Sequence, residues 1–302
     1  MTDYEQDLPN FIIIGAAKAG TSSLFNIIGG HAQVFHSQQK ELGFFSNDEF
    51  FNKGLAWYAR IHFGGAHKFS VRMEASPAYL TWSEKTAPRM QSAFDGRRLK
   101  MAVIFRDPVQ RAYSHYWHRR RLGHDDAESF EQAMRTEEQR LRDNWEMLST
   151  TGNGLYGYFR AGCYASRMQP FLDYFDKRDF IFLLQEDIFP ENFQASLKRV
   201  LDFLDIDSSV ELALEKANES TKPRSAWLTK LYWGLKQTVL KPLYRNWLPA
   251  SMRKKLYSTL FPAEAYPPID AAIQAELRLR YKKEVQNLED IIQRDLSHWL
   301  SA

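Results

Sequence analysis

Apolar residues along this chain gather in short unbroken runs bounded by polar residues, glycine or proline. Phe11–Gly15 (FIIIG), residues 99–105 (LKMAVIF) and Phe180–Leu184 (FIFLL) are the strongest, with residues 69–73 a weaker fourth. Runs of this length without alternation predict strands buried on both faces, as in a parallel sheet. A small-residue turn over 15–20 leads into a helix opened by Thr21-Ser22-Ser23. Arg106-Asp107-Pro108 ends the second run and sets proline in the first turn of the next helix. An acidic turn after the third run leads into a helix over 193–204. Strand–helix alternation of this kind predicts an α/β fold, a three-layer sandwich with a central parallel sheet.

The last third changes character. Residues 226–260 mix Trp, Tyr and Leu with Lys and Arg, carry Pro242 and Pro249, and predict amphipathic helices. Pro262, Pro267 and Pro268 mark a break, and residues 271–300 predict one long charged helix. The C-terminal part is therefore helical, and the chain from 8 to 302 is expected to form a single domain in which 226–260 is an acceptor-side insertion or lid. Mixed aromatic and basic residues also suit an interface with lipid. Peripheral membrane contact through 226–260 is a second expectation, beside ordinary core packing.

Composition narrows the function. The chain has 302 residues, 44% of them apolar, with Lys+Arg 40 against Asp+Glu 37 and a net charge of +3. That balance argues against a nucleic-acid binder, so any positive charge used for phosphates must be local. One cysteine, Cys163, permits no internal disulfide and no cysteine-based zinc site. The polar, acidic first ten residues lack a signal-peptide pattern, and no run of about 18 apolar residues occurs. A cytoplasmic protein is the expectation.

Two constellations carry chemistry. Gly15-Ala16-Ala17-Lys18-Ala19-Gly20-Thr21-Ser22-Ser23 lies between a strand and a helix. Small residues let the backbone wrap an anion, the free N–H groups of the helix start point at it, and Lys18 adds a mobile cation. Thr21 stands where a nucleotide triphosphatase loop, G-x-x-x-x-G-K-[ST], needs its lysine, so the loop is not of that kind. A tight turn with a solvated lysine is the plainer alternative. The second constellation is Arg106, at the carboxyl end of a strand where open α/β sheets bind ligands, followed by Ser114 two turns into the next helix. An arginine fork plus a hydroxyl suits a phosphate monoester, whereas an Arg106–Asp107 pair and a solvent-facing Ser114 would be structural.

Taken in order, these segments resemble the sulfotransferases that use 3'-phosphoadenosine-5'-phosphosulfate (PAPS), in particular the branch containing heparan sulfate sulfotransferases and bacterial relatives. FIIIGAAKAGTSSL is similar to that family's 5'-phosphosulfate loop and VIFRDPVQRAYSHYWH to its 3'-phosphate motif. Lys40-Glu41-Leu42-Gly43-Phe44-Phe45 resembles a K-E-x-x-F-F segment, and Glu74-Ala75-Ser76-Pro77-Ala78-Tyr79 an E-x-S-P-x-Y segment. Gly162-Cys163-Tyr164, the Pro267–Asp270 stretch and Arg294 to Trp299 follow in the family's order. The likeness runs from about residue 11 to 300 and is weakest over 226–260.

The resemblance implies the P-loop nucleoside triphosphate hydrolase-like fold and in-line sulfuryl transfer from PAPS to a hydroxyl or amine, without a metal. Carried over by position, Lys18 contacts the phosphosulfate and stabilises the leaving phosphate. Ala19, Gly20, Thr21, Ser22 and Ser23 hold the 5'-phosphate, Arg106 and Ser114 the 3'-phosphate, and Glu41 is the general base, unless it is only a surface carboxylate paired with Lys40. The implied acceptor is a carbohydrate or glycolipid.

Two departures stand out. Ala75 replaces the lysine of the heparan branch, so a cation suited to an acidic glycan is missing, which argues against a heparan-like acceptor; no K-G-R loop is evident, which leaves Arg224, or Lys254-Lys255, as the candidate cations closing over the 3'-phosphate. His115 and His118, with Arg119 to Arg121, read as a polar, solvated helix face rather than a metal pair; a basic run over 118–121 that attracts an acidic substrate is the alternative. The rival functions are a P-loop nucleotide kinase or phosphotransferase, whose magnesium carboxylate would come from Glu186-Asp187, and a non-catalytic binder of the desulfated nucleotide PAP.

Overall fold

The computed structural model describes residues 4–188, 193–212 and 266–301, with Met252 and Thr259 besides. Apart from those two residues, segment 226–260 lies outside the described residues. So do Arg224 and Lys254-Lys255, and with them the expectations of a lid, a membrane contact and a closing arginine.

Five strands, β1 Phe11–Gly15, β2 Val34–His36, β3 Val71–Ala75, β4 Lys100–Phe105 and β5 Phe180–Leu184, form one parallel sheet in the order β2-β3-β1-β4-β5. Every residue of β1 is buried, and every residue of β4 but Lys100. Burial of successive residues means both sheet faces are covered, which is why these strands read as continuous apolar runs. The helices are α1 Thr21–Gly29, α2 Asp48–Phe51, α3 Gly54–Phe63, α4 Ala78–Thr81, α5 Ser83–Ala93, α6 Pro108–Arg121, α7 Phe130–Arg135, α8 Glu137–Asp143, α9 Trp145–Thr151, α10 Tyr164–Leu172, α11 Phe193–Phe203 and α12 Ala271–Ile292. The chain runs outward from β1 to β2 and β3, then crosses to β4 and β5. The strand order therefore reverses beside β1, and the crevice at the carboxyl ends of β1 and β4 is the ligand position of an open α/β sheet.

The α/β sheet expectation holds, with local differences. The third strand lies at 71–75 rather than 69–73. The expected 271–300 helix stops at Ile292, where Gln293 turns left-handed (φ 55°) and donates its N–H to the Glu289 carbonyl. Asp270 starts that helix by accepting from the N–H groups of Ala272 and Ile273. Among the described residues no helix is long and apolar enough to cross a membrane.

One buried polar hub ties the sheet to the loop after β2. Glu74, on β3, has no exposed surface and accepts hydrogen bonds from Ser76 Oγ at 2.6 Å, Tyr79 Oη at 2.7 Å and the Tyr58 hydroxyl. Burial outweighs these three bonds, so the Glu74 pKa is raised. Two of the hydroxyls pass the connection on. Ser76 Oγ accepts from the Gly43 N–H at 3.0 Å, Tyr79 Oη from the Phe45 N–H at 3.5 Å, and the Ala75 carbonyl from the Glu41 N–H at 2.9 Å. Phe44 stacks on Tyr58 with centroids 4.2 Å apart. The Glu41–Phe45 loop thus hangs from the carboxyl end of β3.

Removing one hydroxyl and removing the shared acceptor should differ in cost. Tyr58→Phe is expected to lose about 1 kcal/mol and Glu74→Ala about 3 kcal/mol or more, because the latter strands three buried donors. Urea unfolding of both variants checks this, and equal losses would mean that the hub does not act as a unit.

Candidate active site

The crevice is built first from the β1–α1 loop. Gly15 is required by close approach, since a Cβ there would sit 2.6 Å from Leu80 Cβ. The backbone then turns through left-handed conformations at Lys18 (φ 70°) and Gly20 (φ 105°). Gly20 is the N-cap of α1 and supplies no capping side chain. The first intrahelical bond runs from the Leu24 N–H to the Gly20 carbonyl, which leaves the N–H groups of Thr21, Ser22 and Ser23 as the orphan donors of the helix start. Ala19 and Thr21 are buried, Lys18 and Ser23 half-buried, and Ser22 is exposed. A helix start of this kind can cradle an anion, and a cation stands beside it.

The Lys18 ammonium makes no ion pair among the described residues. Its pKa is pulled down from 10.5 to about 8, first by burial and then by the positive charges of Arg121, Arg106 and Arg119, with Glu41 opposing. Arg106 follows β4. Its Nη1 donates to the Lys18 carbonyl at 3.2 Å, and its own carbonyl accepts from Tyr164 Oη at 2.9 Å. It does not pair with Asp107. That carboxylate caps α6, accepting from the N–H groups of Val109 at 2.8 Å and Gln110 at 3.2 Å. Burial lowers the Arg106 pKa and raises that of Asp107. Ser114 is half-buried on α6, and its hydroxyl makes no hydrogen bond among the described residues.

Glu41 reaches the same place from the β3 side. It too has a left-handed backbone (φ 62°), a conformation that non-glycine residues adopt at a cost. Its side chain is 65% exposed and meets Lys40 Nζ at 3.2 Å. Lys40 is no bystander on the surface. Its ammonium, with the side chain 19% exposed, also donates to Ser22 Oγ at 2.9 Å and Thr21 Oγ1 at 3.3 Å. Lys40 therefore fastens Glu41 to the start of α1. The sequence supplied the Lys-Glu pair but not this reach across 18 residues.

The second half of α6 corrects an expectation. His115 is buried, and His118, Arg119, Arg120 and Arg121 are all half-buried, so this is not a solvated face. Arg119 Nε donates to His115 Nε2 at 3.0 Å, and Arg121 Nη2 lies 3.1 Å from His118 Nδ1. Burial, reinforced by Lys18, Arg121 and Arg119, pushes the His118 pKa to about 3, so its ring is neutral near pH 7. Burial lowers the Arg119 pKa as well. Lys18, Lys40, Arg106, Arg119 and Arg121 thus surround one loop, with Glu41 as the carboxylate turned toward them. The arrangement can hold a polyanion and take a proton at Glu41.

Comparison with known proteins identifies the family and the fold. The profile of the sulfotransferase domain family matches residues 8–230. Heparan sulfate glucosamine 3-O-sulfotransferase 3B1 of Mus musculus is 30% identical over 239 residues, covering 74% of this chain and 56% of that protein. The membrane-associated sulfotransferase kil1 of Dictyostelium discoideum is 28% identical over 197 residues, 58% of this chain and 41% of the relative. The chain thus spans about half the length of these curated relatives. The crystal structure of a sulfotransferase from Alicyclobacillus acidocaldarius superposes with a TM-score of 0.70 at 24% identity, over 97% of this chain and 99% of that one, a likeness of fold.

The lowered Lys18 pKa makes oxyanion binding pH-dependent. Below about 8 the ammonium is charged and attracts an oxyanion; above it the amine is neutral. Inorganic sulfate stays a dianion across this range. Its affinity is expected to fall between pH 7 and 9.5, by up to about tenfold per unit once past the pKa, and to stay flat in Lys18→Arg. Calorimetric titration across that range checks this, and a flat wild-type profile would remove Lys18 from the anion site.

Proposed function

The chain belongs to the sulfotransferase family, and we propose that it transfers the sulfuryl group of PAPS to a hydroxyl of a carbohydrate-type acceptor, with Glu41 as the base. The observation that carries this reading is the three-way contact of Lys40, which joins the α1 hydroxyls to Glu41 and so puts an anion cradle and a proton acceptor within one side chain of each other.

In this reading the 5'-phosphosulfate lies on the orphan N–H groups of Thr21, Ser22 and Ser23, beside Lys18, with the 3'-phosphate toward Arg106 and Ser114. The acceptor oxygen attacks sulfur in line and an S–O bond forms. The bond from sulfur to the 5'-phosphate oxygen breaks, its electron pair staying on PAP, and the hydroxyl proton passes to Glu41. Charge grows on the leaving oxygen, where Lys18 and the helix start are already aimed and need no reorganisation. Lys40 offsets the Glu41 charge in the free protein and is within reach of the sulfuryl oxygens once PAPS is bound. Similarity to heparan sulfate and other sulfotransferases supports the carbohydrate acceptor. A nucleotide phosphotransferase is disfavoured by Asp187, whose oxygens accept from the Leu184 N–H at 2.8 Å and from the Arg294 guanidinium.

Glu41→Gln is expected to keep PAP affinity within about twofold and to lose turnover by about 10²–10⁴-fold, the usual contribution of a general base. Lys18→Ala should weaken PAP binding and turnover together. The assay uses labelled PAPS against a panel of sugar, lipid and phenolic acceptors, with calorimetry for PAP. Unchanged turnover in Glu41→Gln would remove it as the base. PAP uptake with no transfer to any acceptor would favour a binding protein.

A further inference from the structure

A second cavity, of about 920 Å³, lies between α8, the Arg160–Gly162 turn with the start of α10, and α12. Its volume is that of pockets that enclose small organic ligands. Lys18, Lys40, Glu41, Arg106 and Ser114 are not among the residues that line it, so it is separate from the crevice. Among the described residues its wall carries five arginines against three glutamates. One of the three, Glu137, is turned inward. Its oxygens accept from the N–H groups of Phe159 at 2.6 Å and Arg160 at 2.9 Å, and burial lifts its pKa to about 7, so it answers the arginines with less than a full charge near neutral pH. The other two stand off. Glu276 is 3.8 Å from Arg280 and Glu138 is 3.7 Å from Arg142, both beyond hydrogen-bond reach. Arg160 and Arg167 are held side by side. After burial, the Arg167 charge is the largest cause of the lowered Arg160 pKa. The two share one carboxylate, Glu84, which lies 2.8 Å from Arg167 but 4.0 Å from Arg160. Arg167 is 10% exposed, and its Nε is buried with no acceptor among the described residues. Arg160 rests on the Trp145 ring, 5.3 Å from its centroid, and Trp145 is itself 45% exposed.

We propose that this cavity is a second ligand site, for a planar aromatic anion whose sulfonate, sulfate, carboxylate or phosphate group sits on Arg160 and Arg167 while its ring lies against Trp145. The proposal stands apart from the sulfotransferase reading and does not depend on it. Adjacent guanidinium groups with one carboxylate between them and an unfilled buried donor are unfavourable alone and gain when an oxyanion joins them. An exposed indole face beside them offers the ring a stacking surface, and Met134 and Leu141 add apolar wall. A small inorganic anion leaves the indole face in water. An uncharged ring leaves the two arginines repelling each other, and a cation adds to that repulsion. An anion with a ring attached meets both halves of the wall at once.

The test titrates the full chain at pH 7 with naphthalene-2-sulfonate, with naphthalene-2-sulfonamide, which has the ring without the charge, and with methanesulfonate, which has the charge without the ring. Calorimetry is run on wild type, Arg160→Gln and Trp145→Ala, with melting temperatures alongside. Wild type should bind naphthalene-2-sulfonate at least about tenfold more tightly than either control, the increment of one charge-assisted contact or one stacked ring. Arg160→Gln should lower sulfonate affinity by about tenfold and leave the sulfonamide within about twofold. Its melting temperature should stay near wild type, since the nearest carboxylate is 4.0 Å away. Trp145→Ala, at an exposed side chain, should weaken both ring compounds together by about fivefold, and it carries the test if Arg160→Gln does not fold. Saturating PAP should leave naphthalene-2-sulfonate affinity within about twofold. No uptake of the sulfonate by wild type overturns the proposal, as does equal affinity for sulfonate and sulfonamide, or affinity that survives in both variants. Displacement of the sulfonate by PAP places it in the crevice and overturns the proposal as well.

Discussion

A carboxylate buried without a cation holds the Glu41–Phe45 loop in place. Glu74 sits inside the sheet layer with three hydroxyls around it, and burial of such a group is tolerable only while every donor stays engaged. Ser76 and Tyr79 each donate a hydrogen bond to Glu74 and accept one from the backbone of the Glu41–Phe45 loop. The loop therefore inherits the rigidity of β3. This explains how Glu41 can keep a left-handed backbone while its side chain stands in solvent. The strain is borne by bonds made two and four residues away.

With the loop fixed, electrostatics of the crevice follow from what surrounds it. Positive charges from α6, β4 and the β1–α1 loop converge where carboxylates are few; burial and their mutual repulsion keep His115 and His118 neutral and lower the Lys18 pKa. Such a site is unfavourable when empty and gains when an anion enters. Its stability is given up locally so that binding energy appears at the strand ends where the ligand arrives. Lys40 is the compromise within it, holding a carboxylate and two hydroxyls until a ligand competes for them.

How far the chain could be read in advance depended on sequence distance. Phe11–Gly15 and Phe180–Leu184 match their runs because a strand covered on both faces has only apolar choices. Val34–His36 escaped notice because three residues make no periodic pattern. The third strand lies two residues later than its run. Phe69 is followed by Ser70, whose carbonyl accepts from the Asn10 side chain, and pairing with β1 begins only at Met73. In the site, the anion loop was legible because its chemistry is local, six residues with the right sizes and a helix behind them. Arg106 was legible as a strand end, yet its separation from Asp107 was not, since the sequence cannot say that Asp107 prefers the helix cap. The basic run after His118 was read as solvated because its isolated composition looks that way. The fold brings the run close enough for Arg121 and Arg119 to act electrostatically on Lys18, which places it at the candidate site.

The distribution of carboxylates then argues for the kind of group transferred. A nucleotide phosphotransferase places a carboxylate near a strand end to hold the metal between phosphates. At the end of β4 that residue is Asp107, occupied as the cap of α6, and after β5 it is Asp187, occupied by Arg294 and by the Leu184 N–H. Both are structural before any ligand arrives, and freeing either would uncap a helix or break a packed ion pair. Glu41 alone, among these three, keeps its side chain largely in solvent, with a lysine for partner that also touches the anion cradle. A site with many cations and one accessible carboxylate is suited to moving an anionic group whose charge is met by ammonium, guanidinium and amide donors while a single proton leaves the acceptor. Sulfuryl transfer to a hydroxyl has that requirement.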